Sequence, residues 1–315
     1  MPGNFFPSLH PCWRCGLACL LVGCASHANQ RETGPAGPSP GPFQPPTAHF
    51  GIRARTALRF ERALYYKPRR SDSDEDPPRL GPLLIQELAP RAPAADAPRL
   101  ARALNSAKSQ LSTRARQPAV YISESVAQFG GRSCRRLSYL WSVAADPADG
   151  PPVWRGVRMT LDSAGMPAVW EVFGPTDGLA VLYVSRSLNA RAEGAYGGPL
   201  PGRAFAVERP IDEQPAVVVA RLLDDGPVPM GPFVYLDATA RRITTLLCRC
   251  MSSQLDEAVE TVEYELLPLE SLREPGRRAN RPTRLPVDPN DLAPLPEMAD
   301  PAWLERALRL PPNWP

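Results

Sequence analysis

Forty of the 315 residues are proline, well above the usual ~5%, and their placement constrains the fold more than any other feature. Proline offers no backbone N–H and its ring fixes φ, so it breaks helix interiors and central strands alike. Prolines crowd between about residues 24 and 48 and again beyond Ser271, where the chain is confined to extended or irregular backbone. From Pro118 to about Pro268 they thin out. There apolar and polar residues alternate with a period of two, the pattern of strands with one face buried.

The alternation predicts strands at Val120–Ile122, Arg136–Val143, Trp154–Leu161, Met166–Phe173, Leu179–Ser185, Arg203–Val207, Ala216–Leu223, Pro232–Leu236, Ile243–Cys250 and Thr261–Leu267. Pro82–Glu87 reads as a further short strand, and residues 52–66 lean the same way. In the hairpin around Asp162-Ser163-Ala164-Gly165, Val157, Met159 and Leu161 alternate with Arg158, Thr160 and Asp162. Helix signals are few. Leu100, Ala103, Leu104 and Leu111 share one face of a predicted helix over 97–111. Trp303, Leu304, Leu308 and Leu310 could form a short amphipathic turn that either docks on the domain or lies free. The expected architecture is mainly β or α+β: one antiparallel sheet system, a sandwich or partly closed barrel, with one or two short helices. The expected divisions are a leader over 1–23, a proline-rich tether over 24–50, a β-rich domain over 51–272 and a proline-rich tail over 273–315.

The beginning of the chain says where the protein works. Leu17 to Gly23 is a short apolar run preceded by Arg14, and it ends in Leu21-Val22-Gly23-Cys24. This stretch resembles a bacterial lipoprotein signal peptide. The resemblance implies that Cys24 receives a diacylglycerol on sulfur, that cleavage falls before Cys24, and that the new amine is acylated. Each buried methylene contributes roughly 0.8 kcal/mol, and firm anchoring takes about two chains. In that family a residue other than Asp after the cysteine, here Ala25, implies delivery to the outer membrane. The partner so implied is a lipid bilayer, held through acylated Cys24. Two other readings of the stretch stay open. Ser26-His27-Ala28 suits an ordinary signal peptidase, which would leave a soluble secreted protein. Cys12, Cys15, Cys19 and Cys24 are spaced C-x2-C-x3-C-x4-C, a poor fit to zinc or iron–sulfur spacing.

The three histidines, His10, His27 and His49, all precede the β-rich region. Histidine is the usual general base near neutral pH and a frequent metal ligand. The β-rich region therefore offers no Ser-His-Asp or Cys-His catalysis and no His-ligated zinc, and nothing in it calls for a cofactor. A net charge of +3 gives no case for nucleic acid as a partner; an unidentified protein or glycan remains.

Of the seven cysteines, Cys134, Cys248 and Cys250 fall in the β-rich region. Soft ligands of this kind, beside Met251, suit Cu(I). In a strand, Cys248 and Cys250 would have Cα atoms about 6.7 Å apart, at the upper edge for a disulfide. A bridge from Cys134 to one of them, or buried free thiols, are the plainer alternatives. Asp224 and Asp225 stand at the mouth of a loop rich in Pro and Gly. Paired carboxylates can act as acid and base on a glycosidic bond, with Glu171, Asp177 and Glu208 as distant candidates for the second acid. Asp-Gly is equally a turn signal. Gly194 to Gly202 is glycine-rich but followed by prolines rather than a helix, so it reads as a surface loop rather than a phosphate cradle. Trp141, Trp154 and Trp170 would form either a sugar-binding platform or ordinary core. The sequence thus supports a lipid-anchored envelope protein with a non-enzymatic binding or structural β domain. A carboxylate-based glycan hydrolase stands as the alternative, and a soft-metal carrier behind both.

Overall fold

The computed structural model describes residues 63–69, 79–88, 118–143, 153–176, 178–211, 217–238, 242–247, 261–272 and 287–315. All lie within one unit, Gln44–Pro315. The expected helix over 97–111 lies outside the described residues.

Eleven strands form one sheet. In chain order they are β1 (Ala63–Pro68), β2 (Leu83–Glu87), β3 (Ala119–Phe129), β4 (Arg132–Val143), β5 (Val153–Leu161), β6 (Pro167–Phe173), β7 (Ala180–Ser185), β8 (Val217–Leu223), β9 (Phe233–Leu236), β10 (Ile243–Leu247) and β11 (Thr261–Pro268). Their spatial order is β10-β9-β2-β1-β11-β3-β4-β5-β6-β7-β8. The expected strand pattern is thus present, with two departures. The sheet is mixed rather than purely antiparallel, because β1 with β11, β11 with β3, β2 with β9 and β7 with β8 run parallel. Each parallel pair needs a long crossover, and period-two alternation carries no information about pairing direction. Arg203–Val207 is a tight turn rather than a strand: Glu208 Oε2 accepts from the backbone N–H groups of Ala204 and Phe205, at 2.9 Å each.

The sheet curls until it nearly closes. Each strand sends at least one side chain into a single apolar cluster: Tyr66 from β1, Leu84 from β2, Val120 from β3, Trp141 from β4, Met159 from β5, Trp170 from β6, Tyr183 from β7, Leu223 from β8, Val234 from β9, Leu246 from β10 and Tyr264 from β11. A flat sheet cannot bring side chains from all its strands into one cluster; a curled one encloses them. Across the seam, the Tyr183 hydroxyl of β7 hydrogen-bonds to Thr245 and Leu246 of β10. Burial pushes that phenol up to about 12, so it stays protonated. Trp141 and Trp170 are fully buried inside this barrel. Trp154 packs on Tyr121 in the outer layer, with ring centres 5.8 Å apart. Trp141 and Trp170 are therefore core, and Trp154 is half-buried against the outer layer.

A second apolar layer covers the outer face of β3 to β8. It is built from α1 (Arg186–Tyr196) and from the C-terminal segment 287–315, which contains two 3-10 turns and α2 (Trp303–Ala307). Ser185 caps α1, its side chain accepting from the Leu188 N–H, and Gly197 ends it at φ +81°. Only Leu188 and Ala192 of α1 are buried; two apolar positions are too weak a stripe to announce a helix. The C-terminal segment docks. Met298, Trp303, Leu304, Leu308 and Trp314 are all nearly inaccessible to solvent, each side chain contributing roughly 1.5–3 kcal/mol by burial. Because both faces are covered, β6 and β7 are buried at every position.

The two layers leave no slack around β5. Gly156 lies between β4 and β6. A Cβ there would overlap Leu140 Cδ2 and come within 2.6 Å of the Tyr139 carbonyl oxygen. Gly156→Ala should therefore destabilise the domain by about 1–3 kcal/mol through overpacking, read as a lower urea midpoint with the slope unchanged.

Candidate functional site

Adjacent strands in register place Arg158 opposite Glu171, and Ser138 opposite Arg158. Arg136, two residues from Ser138 on β4, is therefore on the same outer face. The three charged side chains form one buried cluster beneath the C-terminal segment. Glu171 Oε2 accepts from Arg136 Nη2 at 2.7 Å and Arg158 Nε at 2.8 Å; Oε1 accepts from Arg158 Nη2 at 2.5 Å. A fourth donor comes from far along the chain: Trp303 Nε1 of α2 donates to Glu171 Oε1 at 2.9 Å. Arg158 also donates to Asn290 Oδ1 at 3.0 Å and to the Met298 carbonyl at 2.9 Å. Its guanidinium lies 5.0 Å from the centre of the Phe173 ring.

Complete burial would raise the Glu171 pKa. Arg136 and Arg158 outweigh that, by charge and by hydrogen bonding, and hold it at about 2. Burial lowers the pKa of Arg136, against the pull of Glu171. The cluster is a latch between sheet and tail. Both Glu171 oxygens are taken up by these donors, while Arg136 Nε is buried without a hydrogen-bond partner among the described residues.

The other residues singled out in the sequence are likewise engaged. Asp224 and Asp225 follow β8 and meet the first turn of α1. Asp224 Oδ1 accepts from Arg186 Nε at 2.8 Å. Asp225 accepts from the Ser187 N–H at 2.9 Å and from the Ser187 hydroxyl at 2.7 Å. Asp225 thus caps the positive end of a helix, while Asp224 makes an exposed ion pair with Arg186. Of the distant acids, Glu171 is in the latch and Glu208 closes the 204–208 turn, beside Arg203 at 3.7 Å; Asp177 lies outside the described residues. Cys134 is a buried free thiol, pushed up to about 11 by burial and by the charge of Asp162, against the opposing effect of Arg136. A thiol in that state is protonated and a poor nucleophile at neutral pH. Cys24, Cys248 and Cys250 lie outside the described residues. Among the described residues no three of His, Cys, Asp and Glu are grouped to hold a metal.

Sequence reasoning missed a cleft near the C-terminus. Where the tail crosses the β3–β4 turn and the end of α1, it leaves a cleft of about 390 Å3 lined by Phe129, Gly130, Tyr196, Arg209, Glu305, Arg309, Leu310, Pro311, Pro312 and Trp314. Arg209 donates to the carbonyls of Leu308, at 3.1 Å, and Glu305. Arg309 donates to the carbonyls of Ala206 and Tyr196, at 3.4 and 3.3 Å, and stacks on the Tyr196 ring at 4.8 Å. The Gly130 N–H donates to Glu305 Oε1. Trp314 meets Phe129 edge to face at 4.8 Å. These residues come from four separate stretches of chain, so no local motif could have marked them.

Compared with known proteins, the chain matches no family model, no curated sequence and no solved structure.

Two outcomes follow from the latch. Glu171→Gln leaves two buried guanidiniums without their counter-charge and should cost about 3–5 kcal/mol, read as a lower denaturation midpoint. Separately, Glu171 has a depressed folded pKa. Its contribution is fully present above the ordinary carboxylate value of 4.5 and is lost as the pH falls through about 2. Thermal stability should therefore drop across that acid window, and Glu171→Gln should flatten the drop.

Proposed function

We propose that this protein is a lipid-anchored lipoprotein of a bacterial envelope, and that its β domain does binding or structural work rather than chemistry. The observation that carries the reading is Leu21-Val22-Gly23-Cys24, followed by a proline-rich stretch. Acylated Cys24 would hold the chain to a bilayer, most simply the outer membrane given Ala25. The stretch to about residue 48 would act as a spacer. Extended proline-rich chain covers about 3.1 Å per residue, so it reaches roughly 70 Å.

Two features of the domain support the non-catalytic half of the reading. The buried acid is consumed by its own latch, and the buried thiol stays protonated. The alternative, a carboxylate-based glycan hydrolase, needs two acids facing one cleft about 5–10 Å apart. Asp224 and Asp225 instead turn to the first residues of α1. In either case the partner is sought at an envelope surface, among proteins and glycans.

Metabolic labelling with palmitate tests the anchor. The natural chain should carry label and sediment with membranes. Cys24→Ser should carry none and run larger, its leader uncut. An unlabelled natural chain, or an unchanged Cys24→Ser variant, removes the anchor reading.

A further inference from the structure

We infer that the cleft beneath the C-terminal segment binds a small organic anion: a carboxylate or phosphate group carried on a flat, ring-shaped body. The inference rests on reading the domain as a binding module and names the ligand class of this cleft.

Charge carries the argument first. Arg209 and Arg309 form no ion pair among the described residues. Each donates to backbone carbonyls. Carbonyls hold a guanidinium in place but do not cancel its charge, and a guanidinium has five N–H groups to offer. Glu305 is the single carboxylate in the lining, against two guanidiniums, so the cleft carries a net positive charge. Arg132 adds to it at the rim, donating to the Asn313 carbonyl at 3.0 Å without an ion pair among the described residues. A tail that needed only to be pinned could be pinned by neutral donors. Charged donors held on carbonyls are what an incoming anion needs.

Shape carries the rest. Tyr196 is 40% exposed, one of few large apolar side chains so placed. It is nevertheless fixed at both ends: its hydroxyl donates to the Leu310 carbonyl at 2.6 Å, and its ring lies under Arg309. The Arg309 guanidinium lies over the Tyr196 ring, so the two form one fixed planar stack with a charged edge in the lining of the cleft. Preorganised groups of this kind spend little ordering entropy on binding. The volume of about 390 Å3 falls within the range of small-molecule sites, about 300–1,000 Å3.

The test is calorimetric titration of the full-length chain with phenyl phosphate, benzoate, inorganic phosphate and benzyl alcohol. At least one aromatic anion should bind about tenfold more tightly than benzyl alcohol, weakening as salt is added. Comparing phenyl phosphate with benzoate identifies the head group, and inorganic phosphate should bind more weakly than phenyl phosphate. Glu305→Gln keeps an oxygen for the Gly130 N–H and removes the opposing charge, so it should tighten the anion severalfold; misfolding cannot mimic a gain. Arg309→Met should weaken it about tenfold. The inference is overturned if neither aromatic anion binds at millimolar concentration, if benzyl alcohol binds as well, or if Glu305→Gln leaves affinity unchanged. Palmitate labelling on the same preparation separates the two ideas. Label without anion binding sinks the cleft alone, and anion binding without label sinks the anchor alone.

Discussion

The domain depends on a buried negative charge. A carboxylate taken fully out of water costs several kcal/mol unless its partners are close and complete. Glu171 meets that demand with donors from β4, β5 and α2 at 2.5–2.9 Å. Three of these four bonds come from within the sheet, and register alone supplies them. The last comes from Trp303, 132 residues further along. The tail thus both takes Glu171 and Arg158 out of water and supplies partners in place of that water, Trp303 for the carboxylate and Asn290 and the Met298 carbonyl for the guanidinium. The same covering carries Met298 and Leu304 into the outer layer, so the polar latch and the apolar packing reinforce one another.

The barrel and its coat divide the labour. Inside, aromatic and aliphatic side chains from every strand fill the space, and the phenol of Tyr183 spans the open seam. Outside, half of the sheet is overlaid by α1 and the tail. A strand buried on both faces loses the alternation that marks a half-buried one, and β6 and β7 show this. The cleft is a consequence of the coat. The tail leaves the sheet past Leu308, runs over the β3–β4 turn and rejoins at Trp314, and the gap beneath it collects arginines that hold its carbonyls.

Much of the β architecture was legible because it rests on short-range pattern. Val157, Met159 and Leu161 announce an inward face, and Asp162 to Gly165 announces the turn: Asp162 Oδ1 accepts from Ala164 and Met166, and Gly165 sits at φ +75°. The same pattern misled on the other face. Arg158 and Thr160 read as solvent-facing, yet both are buried; over Arg158 lies a segment more than a hundred residues away, which meets it at Asn290 and Met298. Asp224 and Asp225 read as a pair of acids at a loop; their role as acceptors for α1 needed β7 and β8 to be neighbours.

By itself the sequence determined the short-strand, turn-rich character of the domain, the resemblance at Cys24, and the lack of histidine chemistry in the β-rich region. All three are properties of residue identity and near-neighbour spacing. Only the tertiary structure decided that strands pair in parallel as well as antiparallel, that Glu171 is locked between two arginines and a tryptophan, and that Arg209, Arg309 and Tyr196 meet at one cleft. Those outcomes hang on contacts between distant stretches, and the free energy that selects them is released only when the layers close on each other.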